Sequence, residues 1–375
     1  MTPQIVPVRT KKERETFIRV PFYVYKDDPN WVPPLLFDRR DQINPKHPFF
    51  RHAEMQAFVA YRDGQAVGRI SAQVDHLNAE RGRPGLGYFG LLDAVDDGAV
   101  FRGLFDAAEQ WLKDHKMTLA QGPMNLNINQ EVGLLVDGFD TPPYFMMGHS
   151  KPYVGQRVED AGYHPVKDLL AYLMDPDFKI PSIMSAVERR LQGRMVIRPI
   201  DRKHRDRDLK SMCSIFNDAW ENNWGFVPFT DDEFLTIGHE MLLIINDDFI
   251  QIAEVDGEPA AFIVMLPNVN EAIADLNGRL LPFGWAKLLW RLKVRYPHSA
   301  RVPLMGVRQK FQRTRLGPGL AFAVIHAVRN ASVARGVTSV EMSWILENNT
   351  GMRNIIETIG GRISKRYRMY EKNLV

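Results

Sequence analysis

The sequence predicts a mixed α/β fold, with an α+β mixed sheet, that occurs twice along the chain. Each half shows a hairpin, a strand, a helix, a strand, a helix and a closing strand in the same order. The length of 375 residues is also what two ordinary domains require. The predicted division is a first domain at 1–175, a linker helix at 176–194 and a second domain at 195–375, in which 268–299 is an insertion.

The composition is that of an ordinary globular protein, with 45% hydrophobic and 25% charged residues. The formal net charge of +3 is small, so no nucleic-acid partner is expected. The one cysteine, Cys213, excludes an intrachain disulfide and is expected to be a buried thiol in a reducing compartment. We find no secretory signal, no membrane-spanning apolar run and no metal-ligand spacing among the histidines. The expected localisation is therefore cytoplasmic, and no metal is expected.

The first half is expected to contain a hairpin that turns at Asp63-Gly64, a helix at 99–115 and a closing strand at 169–174. Before the helix, three aspartates stand where an anion would have to bind: Asp93, Asp96 and Asp97. Their charges would repel a phosphate group. The first half is therefore interpreted as a degenerate copy that either supports the second or contributes walls to its acceptor site.

The second half, whose hairpin is expected to turn at Asp256-Gly257, is organised around a loop between a strand and a helix. The strand is 302–307, the loop is 313–320, and the helix runs from Leu320 to a stop at Gly336. The first N–H groups of a helix lack partners within it and attract an anion, and loop glycines let the backbone approach that anion. Two arginines in the loop add full charges. The loop is therefore predicted to hold a pyrophosphate.

The segment after this helix completes a recognisable order of elements. A strand at 337–346 leads to Asn349, a short helix and Gly360, and 367–372 is predicted to be an edge strand. This order resembles the GNAT superfamily of acyl-coenzyme A transferases. In that family a strand, a glycine-rich pyrophosphate loop and a helix precede a strand, an asparagine, a short helix and a glycine.

Two positions depart from the family pattern. Thr314 stands where the family usually has Gln or Arg, with Arg313 one place away. Ile356 stands where the family often has a tyrosine that acts as the acid. The first departure affects the phosphate loop, and the second leaves the usual acid unassigned.

The resemblance implies an N-acyltransferase that uses acyl-coenzyme A (acyl-CoA), made of two tandem GNAT-like acyltransferase domains of which the second is active. The pantetheine arm would lie along the central strand, where a strand N–H group could bind the thioester carbonyl as it gains negative charge. The amine would attack directly, without a covalent enzyme intermediate. The residues expected to bind acyl-CoA are Met305, Val307, Arg313, Arg315, Gly317, Gly319, Leu320 and Asn349.

An attacking amine must lose a proton, so a carboxylate or a histidine is expected near it, directly or through water. Glu254 on the second hairpin and Glu347 at the end of a strand are the candidate bases by position. Tyr367 is the candidate for the missing acid, with Tyr370 as one alternative and departure of the thiolate without an acid as the other. Five further polar residues of the first half are left open: Asn125, Asn127, Asn129, Glu131 and His149.

The insertion contains an amphipathic segment at 284–296. On a helix, one face would carry Trp285, Leu288, Leu289, Leu292 and Tyr296, and another would carry Lys287, Arg291 and Arg295. Most amphipathic helices pack their apolar face on their own domain, so packing is the first interpretation. The alternative is a peripheral contact with the inner face of a membrane, to which each basic group would add about 1 kcal/mol.

Chain length, duplication and this basic, aromatic insertion also resemble the bacterial ceramide synthases, GNAT-type proteins that transfer a long fatty acyl group to a sphingoid amine. The narrower resemblance implies a role in sphingolipid and lipid metabolism, with acyl-CoA and a lipid or small-molecule amine as partners. One alternative is an aminoacyl-transferase like the tandem GNAT-like peptidoglycan-bridge enzymes, with charged transfer RNA as donor. The other is a non-catalytic acyl-CoA sensor.

Overall fold

The structure is a computed structural model that describes residues 2–179, 193–312, 314 and 316–374. The chain forms two compact units, and each takes segments from both predicted halves. The first unit comprises Met1–Leu169, Ile273–Trp285 and Lys365–Val375, and the second comprises Leu170–Ala272 and Ala286–Ser364. Most of the predicted linker helix at 176–194 lies outside the described residues. The predicted bounds 1–175 and 195–375 describe the two copies of the duplicated fold, not the two compact units, and they stay a prediction.

Nine strands and five α-helices begin in the described part of the first half. They are β1 (Gln4–Pro7), α1 (Lys11–Val24), α2 (Leu36–Gln42), β2 (Ala53–Arg62), β3 (Gln65–Asp75), α3 (Leu77–Glu80), β4 (Leu86–Ala94), α4 (Gly98–Asp114), β5 (Leu119–Gly122), β6 (Met124–Asn125), β7 (Glu131–Val132), β8 (Leu134–Asp137), α5 (Tyr153–Asp160) and β9 (His164–Met174). In the first unit the strands lie in the order β1-β2-β3-β4-β5. Only β4 and β5 in this series are parallel.

The described part of the second half contains six strands and seven helices. They are β10 (Met195–Pro199), α6 (Arg205–Trp220), α7 (Asp231–Ile244), β11 (Ile250–Val255), β12 (Glu258–Pro267), α8 (Val269–Ile273), α9 (Gly284–Trp290), β13 (Ser299–Val307), α10 (Gln309–Gln312), α11 (Gly317–Ala334), β14 (Ser339–Leu346), α12 (Thr350–Thr358) and β15 (Arg362–Asn373). In the second unit the order β10-β11-β12-β13-β14 repeats that of the first, and only β13 and β14 are parallel. This repetition confirms the predicted duplicated mixed α/β fold.

The two hairpins turn where the sequence predicts. In the first turn, φ is +50° at Asp63 and +79° at Gly64; in the second, φ is +53° at Asp256 and +84° at Gly257. Two consecutive positive φ angles match the right-handed twist of the flanking strands, and an Asp-Gly pair adopts them at low cost. The same local chemistry therefore fixes the register of both hairpins.

The helices that follow the hairpins pack as their apolar spacing predicts. In α4 the buried face includes Val100, Leu104 and Ala108, which join the core formed by the strands of the first unit. Helix α11 is apolar over most of its surface, and Leu320 and Val324 are fully buried. A helix that is apolar around most of its circumference is enclosed by its domain.

The C-terminal strand β15 is not the edge strand that the sequence predicts. It pairs antiparallel with β5, where Tyr370 opposes Gly122, and with β8, where Tyr367 opposes Leu135. Asp168 of β9 accepts hydrogen bonds of 2.7 Å from both Arg366 and Arg368 of β15. The end of the chain thus completes the sheet of the first unit, which repetition of the sequence pattern does not reveal.

The insertion differs from the predicted helix at 284–296. Helix α9 ends at Trp290, and a π-helical turn follows at Arg291–Arg295. The expected packing of the apolar face is wrong for α9, because none of its residues is buried. Among the described residues, no helix is long and apolar enough to cross a membrane.

Candidate active site

Strands β13 and β14 part halfway along their length. They pair in parallel from Ser299 opposite Ser339 to Val302 opposite Met342, and the pairing ends there although both strands continue. The next residue of β13 is Pro303, which has no N–H group and cannot extend the ladder. An opening between the two strands therefore begins after Val302.

A buried polar cluster fixes the point where the strands part. Arg301 of β13 donates from Nε to the Ser343 hydroxyl at 2.8 Å and from a terminal nitrogen to the Ser343 carbonyl at 3.0 Å. The Ser343 hydroxyl donates in turn to Glu341 of β14 at 2.6 Å. All three side chains are buried. Charge-assisted hydrogen bonds away from water are strong, so this cluster holds the two strands together at the closed end of the opening.

The peptide groups of two predicted donor-binding residues face this opening. The Arg308 N–H group donates to Ala260 of β12 at 2.9 Å, which fixes the side of β13 that faces β12. Because peptide groups of alternate residues point to opposite edges of a strand, Met305 and Val307 face away from β12. Their carbonyl groups accept hydrogen bonds from the Trp220 indole at 3.1 Å and from the Gln312 amide at 2.7 Å. Side chains thus already occupy the carbonyls on the edge where an extended ligand would bind.

The predicted phosphate loop leads directly into α11. A Cβ atom at Gly317 would lie 2.7 Å from the Phe311 carbonyl oxygen, so only glycine fits there without a shift. Thr314 holds the turn, because its hydroxyl accepts from the Leu316 N–H at 3.1 Å and its carbonyl accepts from the Gly317 N–H at 3.3 Å. Leu316 is the N-cap residue and has no polar side chain to cap the helix.

The other loop residues contribute in different ways. Gly319 is buried in the first turn of α11. The Leu320 side chain belongs to the core and its N–H donates to the Leu316 carbonyl at 2.9 Å, so its role in donor binding stays a prediction. The two predicted arginines, Arg313 and Arg315, lie outside the described residues. The described part of the loop presents the N-terminal end of an 18-residue helix without a side-chain cap. Such an end attracts an anion.

The first unit repeats the parting of strands but fills the gap with its own chain. Strands β4 and β5 pair only from Leu86 to Tyr88 of β4. A Cβ atom at Gly90 would lie 2.0 Å from the Met124 carbonyl oxygen, and the Leu91 N–H donates to the Asn125 side chain at 2.7 Å. The space that is open beside β13 is therefore closed beside β4.

The aspartates of the first unit serve its own structure. Asp97 caps α4 by accepting from the Ala99 N–H at 2.9 Å, so an internal carboxylate takes the place an anion would need. Asp93 accepts from the Tyr25 hydroxyl at 2.7 Å and is paired with Arg69 at 2.7 Å. The predicted repulsion of a phosphate by the aspartates is thus largely neutralised. A phosphate is excluded instead because Asp97 already caps α4.

An aromatic wall lies beside the opening in the second unit. Trp220 stacks on Phe216 with ring centroids 5.1 Å apart and meets Trp344 of β14 edge-on at 5.6 Å. Phe226 and Phe229 pack on Phe216 at 5.9 Å and 5.4 Å. The contacts of Trp220 with Trp344 and with the Met305 carbonyl join residues distant in the chain, so no local sequence pattern predicts them. The wall gives the opening one strongly apolar side.

The candidate base Glu254 is held in an ion pair. Arg198 donates to Glu254 at 2.9 Å and makes a bidentate pair with Asp208 at 2.7 Å and 3.0 Å. Burial acts to raise the pKa of Asp208, but hydrogen bonds from Arg198 and from the Asp201 N–H outweigh it and hold that pKa below its ordinary value. Glu254 lies on β11, two strands from β13. Its carboxylate therefore has a structural partner.

The candidate base Glu347 directly follows β14, one of the two strands beside the opening. Its carbonyl accepts from Arg353 at 2.7 Å, and Asn349 caps α12 by accepting from the Met352 N–H at 3.1 Å. Glu347 is partly buried. The predicted donor-binding role of Asn349 stays a prediction beside this capping role.

The two positions considered for the catalytic acid, Ile356 and Tyr367, are both buried. Ile356, which replaces the family tyrosine, is fully buried in α12 and is part of the core. Tyr367 is fully buried on β15, in the first unit. Its assignment as the acid stays a prediction. Among the described residues, no cluster of metal-ligating side chains is present.

No protein-family model matches the chain. Protein YghO of Escherichia coli strain K12 is 49% identical over 365 residues, which covers 97% of this chain and 94% of that protein. The bacterial ceramide synthase of Caulobacter vibrioides is 48% identical over 373 residues, which covers 99% of this chain and 97% of that protein. Among solved structures, a tandem GNAT protein from the clavulanic acid biosynthesis pathway matches with a TM-score of 0.57 and 13% identity, covering 100% of this chain and 99% of that chain.

The fold, the parted strands and these relatives define the class of protein, which is an N-acyltransferase with the tandem GNAT fold. The chain belongs to the family of GNAT proteins that includes the bacterial ceramide synthase of Caulobacter vibrioides. The predicted superfamily and enzyme class are confirmed.

Proposed function

We propose that the protein transfers a long-chain fatty acyl group from acyl-CoA to the amino group of a sphingoid base. The observation that carries this proposal is the opening between β13 and β14 next to the uncapped start of α11. An opening of that kind suits a thioester joined to a diphosphate. The name of the Caulobacter relative supports the choice of acyl acceptor.

In this proposal the diphosphate of acyl-CoA binds at the start of α11, where Gly317 keeps the backbone close and Arg313 and Arg315 supply positive charge. The pantetheine arm lies along the edge of β13. The N–H groups of Met305 and Val307 face that edge, and one of them binds the thioester oxygen. Such a donor contributes most when the oxygen becomes negative in the tetrahedral intermediate.

The proposed reaction needs one base and no enzyme-bound intermediate. The neutral amine attacks the thioester carbonyl carbon, the new C–N bond forms and the C–S bond breaks. The proton lost by nitrogen passes to a base, for which Glu347 and Glu254 are the candidates, and the CoA thiolate takes up a proton as it leaves. Tyr367 is the candidate donor of that proton.

The aromatic wall supports a long acyl chain over an acetyl group. Each CH₂ group that moves from water onto an apolar surface contributes about 0.8 kcal/mol. The partly exposed rings of Trp220 and Trp344, backed by the buried ring of Phe216, present such a surface next to the edge where the thioester would lie. We therefore expect affinity for acyl-CoA to rise with chain length until the wall is covered.

The test uses the purified full chain with acyl-CoAs from acetyl to palmitoyl, each offered with sphinganine and with soluble amines such as spermidine. Release of free CoA thiol and the mass of the product are measured. We expect an N-acyl sphinganine with long-chain donors and little turnover with acetyl-CoA. Turnover confined to acetyl-CoA and soluble amines would overturn the lipid assignment and leave the acyltransferase class intact.

A further inference from the structure

From the exposed part of the insertion, we infer that this protein docks on anionic lipid bilayers through residues 279–295, here called the basic apolar segment. The segment carries six large apolar side chains that are more than half exposed. These are Leu281, Phe283, Trp285, Leu289, Trp290 and Val294. Half of the large exposed apolar residues found among the described residues fall in this one stretch.

The degree of exposure is high for residues of this type. Leu281 is 80% exposed, Phe283 is 78% exposed and Val294 is 70% exposed. Clustered apolar side chains that face water mark a surface with an external partner, whereas isolated ones need no explanation. Within the π-helical turn only Leu292 is buried, and the Arg291 guanidinium bonds to the Ala272 carbonyl at 2.7 Å. The segment is therefore anchored at Leu292 and Arg291.

The charge of the segment identifies the partner. Residues 279–295 contain five basic side chains and no acidic one: Arg279, Lys287, Arg291, Lys293 and Arg295. Arg279, Lys293 and Arg295 are exposed. Basic groups interspersed with Leu, Phe and Trp fit the boundary between lipid headgroups and acyl chains, where tryptophan is also enriched. A protein partner would need a matching acidic and apolar surface, whereas an anionic bilayer supplies both features at once.

The experiment is flotation of the full chain with vesicles of phosphatidylcholine alone and with vesicles of phosphatidylcholine and phosphatidylglycerol in equal parts. We expect the protein to float with the anionic vesicles, to stay behind with the neutral ones, and to be released by high salt. Equal binding to both vesicles, or to neither, would overturn the inference. Because binding needs no turnover, either result leaves the proposed reaction untouched.

Two double variants test the segment itself. Lys293→Gln with Arg295→Gln should weaken binding to anionic vesicles about 25-fold, from about fivefold for each basic group near the surface. The matched control, Lys11→Gln with Lys12→Gln, removes the same charge from exposed positions on α1 and should leave binding unchanged. An equal loss in both would show that net charge, and not this segment, attracts the vesicle.

Leu289→Gln with Trp290→Gln should reduce binding about tenfold or more, because both side chains enter the bilayer boundary in the bound state. The control is Leu243→Gln on α7, which is 74% exposed and far from the segment in sequence. Thermal unfolding shows that the variants are folded. Sedimentation without vesicles tests the rival occupant: a dimer of the parent chain that the double variant abolishes would assign the segment to self-association and overturn the inference.

Discussion

The indole N–H of Trp220 donates a hydrogen bond of 3.1 Å to the carbonyl oxygen of Met305. This contact ties the end of α6 to the edge of β13 where the strand parts from β14. It satisfies a carbonyl that would otherwise face the opening, and it places the indole ring beside Trp344. One side chain thus contributes both to the backbone edge and to the aromatic wall.

We predict that Trp220→Phe separates these two contributions. The phenyl ring keeps the apolar wall but leaves the Met305 carbonyl without its donor, at a cost of about 1 kcal/mol. We expect kcat/KM for long-chain acyl-CoA to fall about fivefold, while the preference for chain length is retained. Trp111→Phe on α4 is the matched control. Unchanged kinetics for Trp220→Phe would show that the Met305 carbonyl plays no part in donor binding.

Gly317→Ala should weaken CoA binding. The added methyl group would lie 2.7 Å from the Phe311 carbonyl oxygen and 2.9 Å from the Gln312 Cα atom, so the loop before α11 must shift. Overpacking of this kind costs about 1–3 kcal/mol, and we expect the Kd for CoA to rise about tenfold. Calorimetric titration with CoA gives that constant.

Gly351→Ala is the control for this prediction. It also lies in the first turn of a helix, but the closest side-chain atom, the Asn349 oxygen, would be 3.9 Å from the new methyl group. That is an ordinary van der Waals distance, so CoA binding should be unchanged. If both variants bound CoA as the parent does, the diphosphate would have to be placed elsewhere.

The two candidate bases are expected to respond differently to amide substitution. Glu347→Gln should lower kcat about 100-fold, because Glu347 follows a strand that borders the opening and a positioned base contributes at least that factor. Glu254→Gln should mainly lower the melting temperature, because it weakens a pair with Arg198 that also serves Asp208. Steady-state rates and thermal unfolding of both variants are the measurements. A large fall in kcat for Glu254→Gln alone would reverse the assignment.

Cys213 should be inert in the native protein. Burial raises the pKa of its thiol to about 12, so almost no thiolate exists at neutral pH. We expect a thiol-specific reagent such as dithionitrobenzoate to react only after unfolding, and Cys213→Ala to keep activity within about twofold. Rapid inactivation of the folded enzyme by the reagent would instead show that the thiol is accessible and reactive in the native protein.

Asp168 should stabilise the first unit in a pH-dependent way. Burial acts to raise the pKa of Asp168, but hydrogen bonds from Arg368 and Arg366 outweigh it and hold the pKa below the ordinary value of 3.8. As the pH falls, the unfolded chain therefore binds a proton at Asp168 before the native protein does. The stabilisation is complete above about pH 4 and is lost as the pH falls through the lower native pKa.

Asp168→Asn should accordingly cost about 2 kcal/mol at neutral pH, because it weakens the charge-assisted hydrogen bonds from two half-buried arginines. The difference from the parent chain should shrink in acid. Denaturant unfolding at several pH values measures it. The control is Glu258→Gln, which breaks an exposed pair with Lys310 and should leave stability unchanged. A pH-independent loss in Asp168→Asn would contradict the assigned role of the charge.

Local chemistry explains what sequence analysis predicts well. The Asp-Gly turns at 63–64 and 256–257 and the apolar spacing of α11 are set by neighbours in the chain, and all are found as predicted. The contacts of Trp220 and the pairing of β15 with β5 join residues far apart in sequence, so no local pattern predicts them. No local pattern shows either why residue 90 is glycine: a Cβ atom there would clash with the carbonyl oxygen of Met124, which is distant in the chain.

The pairing of β15 with β5 has a consequence for biosynthesis. During translation the strand edge of β5 stays unpaired until β15 has been made, because β10 to β14 all precede β15 in the chain. An unpaired strand edge can pair with a strand of another chain. We therefore expect neighbouring nascent chains to associate through the edge of β5. A chain that stops before Arg362 lacks β15, so we expect its first unit to aggregate and not to fold as a separate fragment.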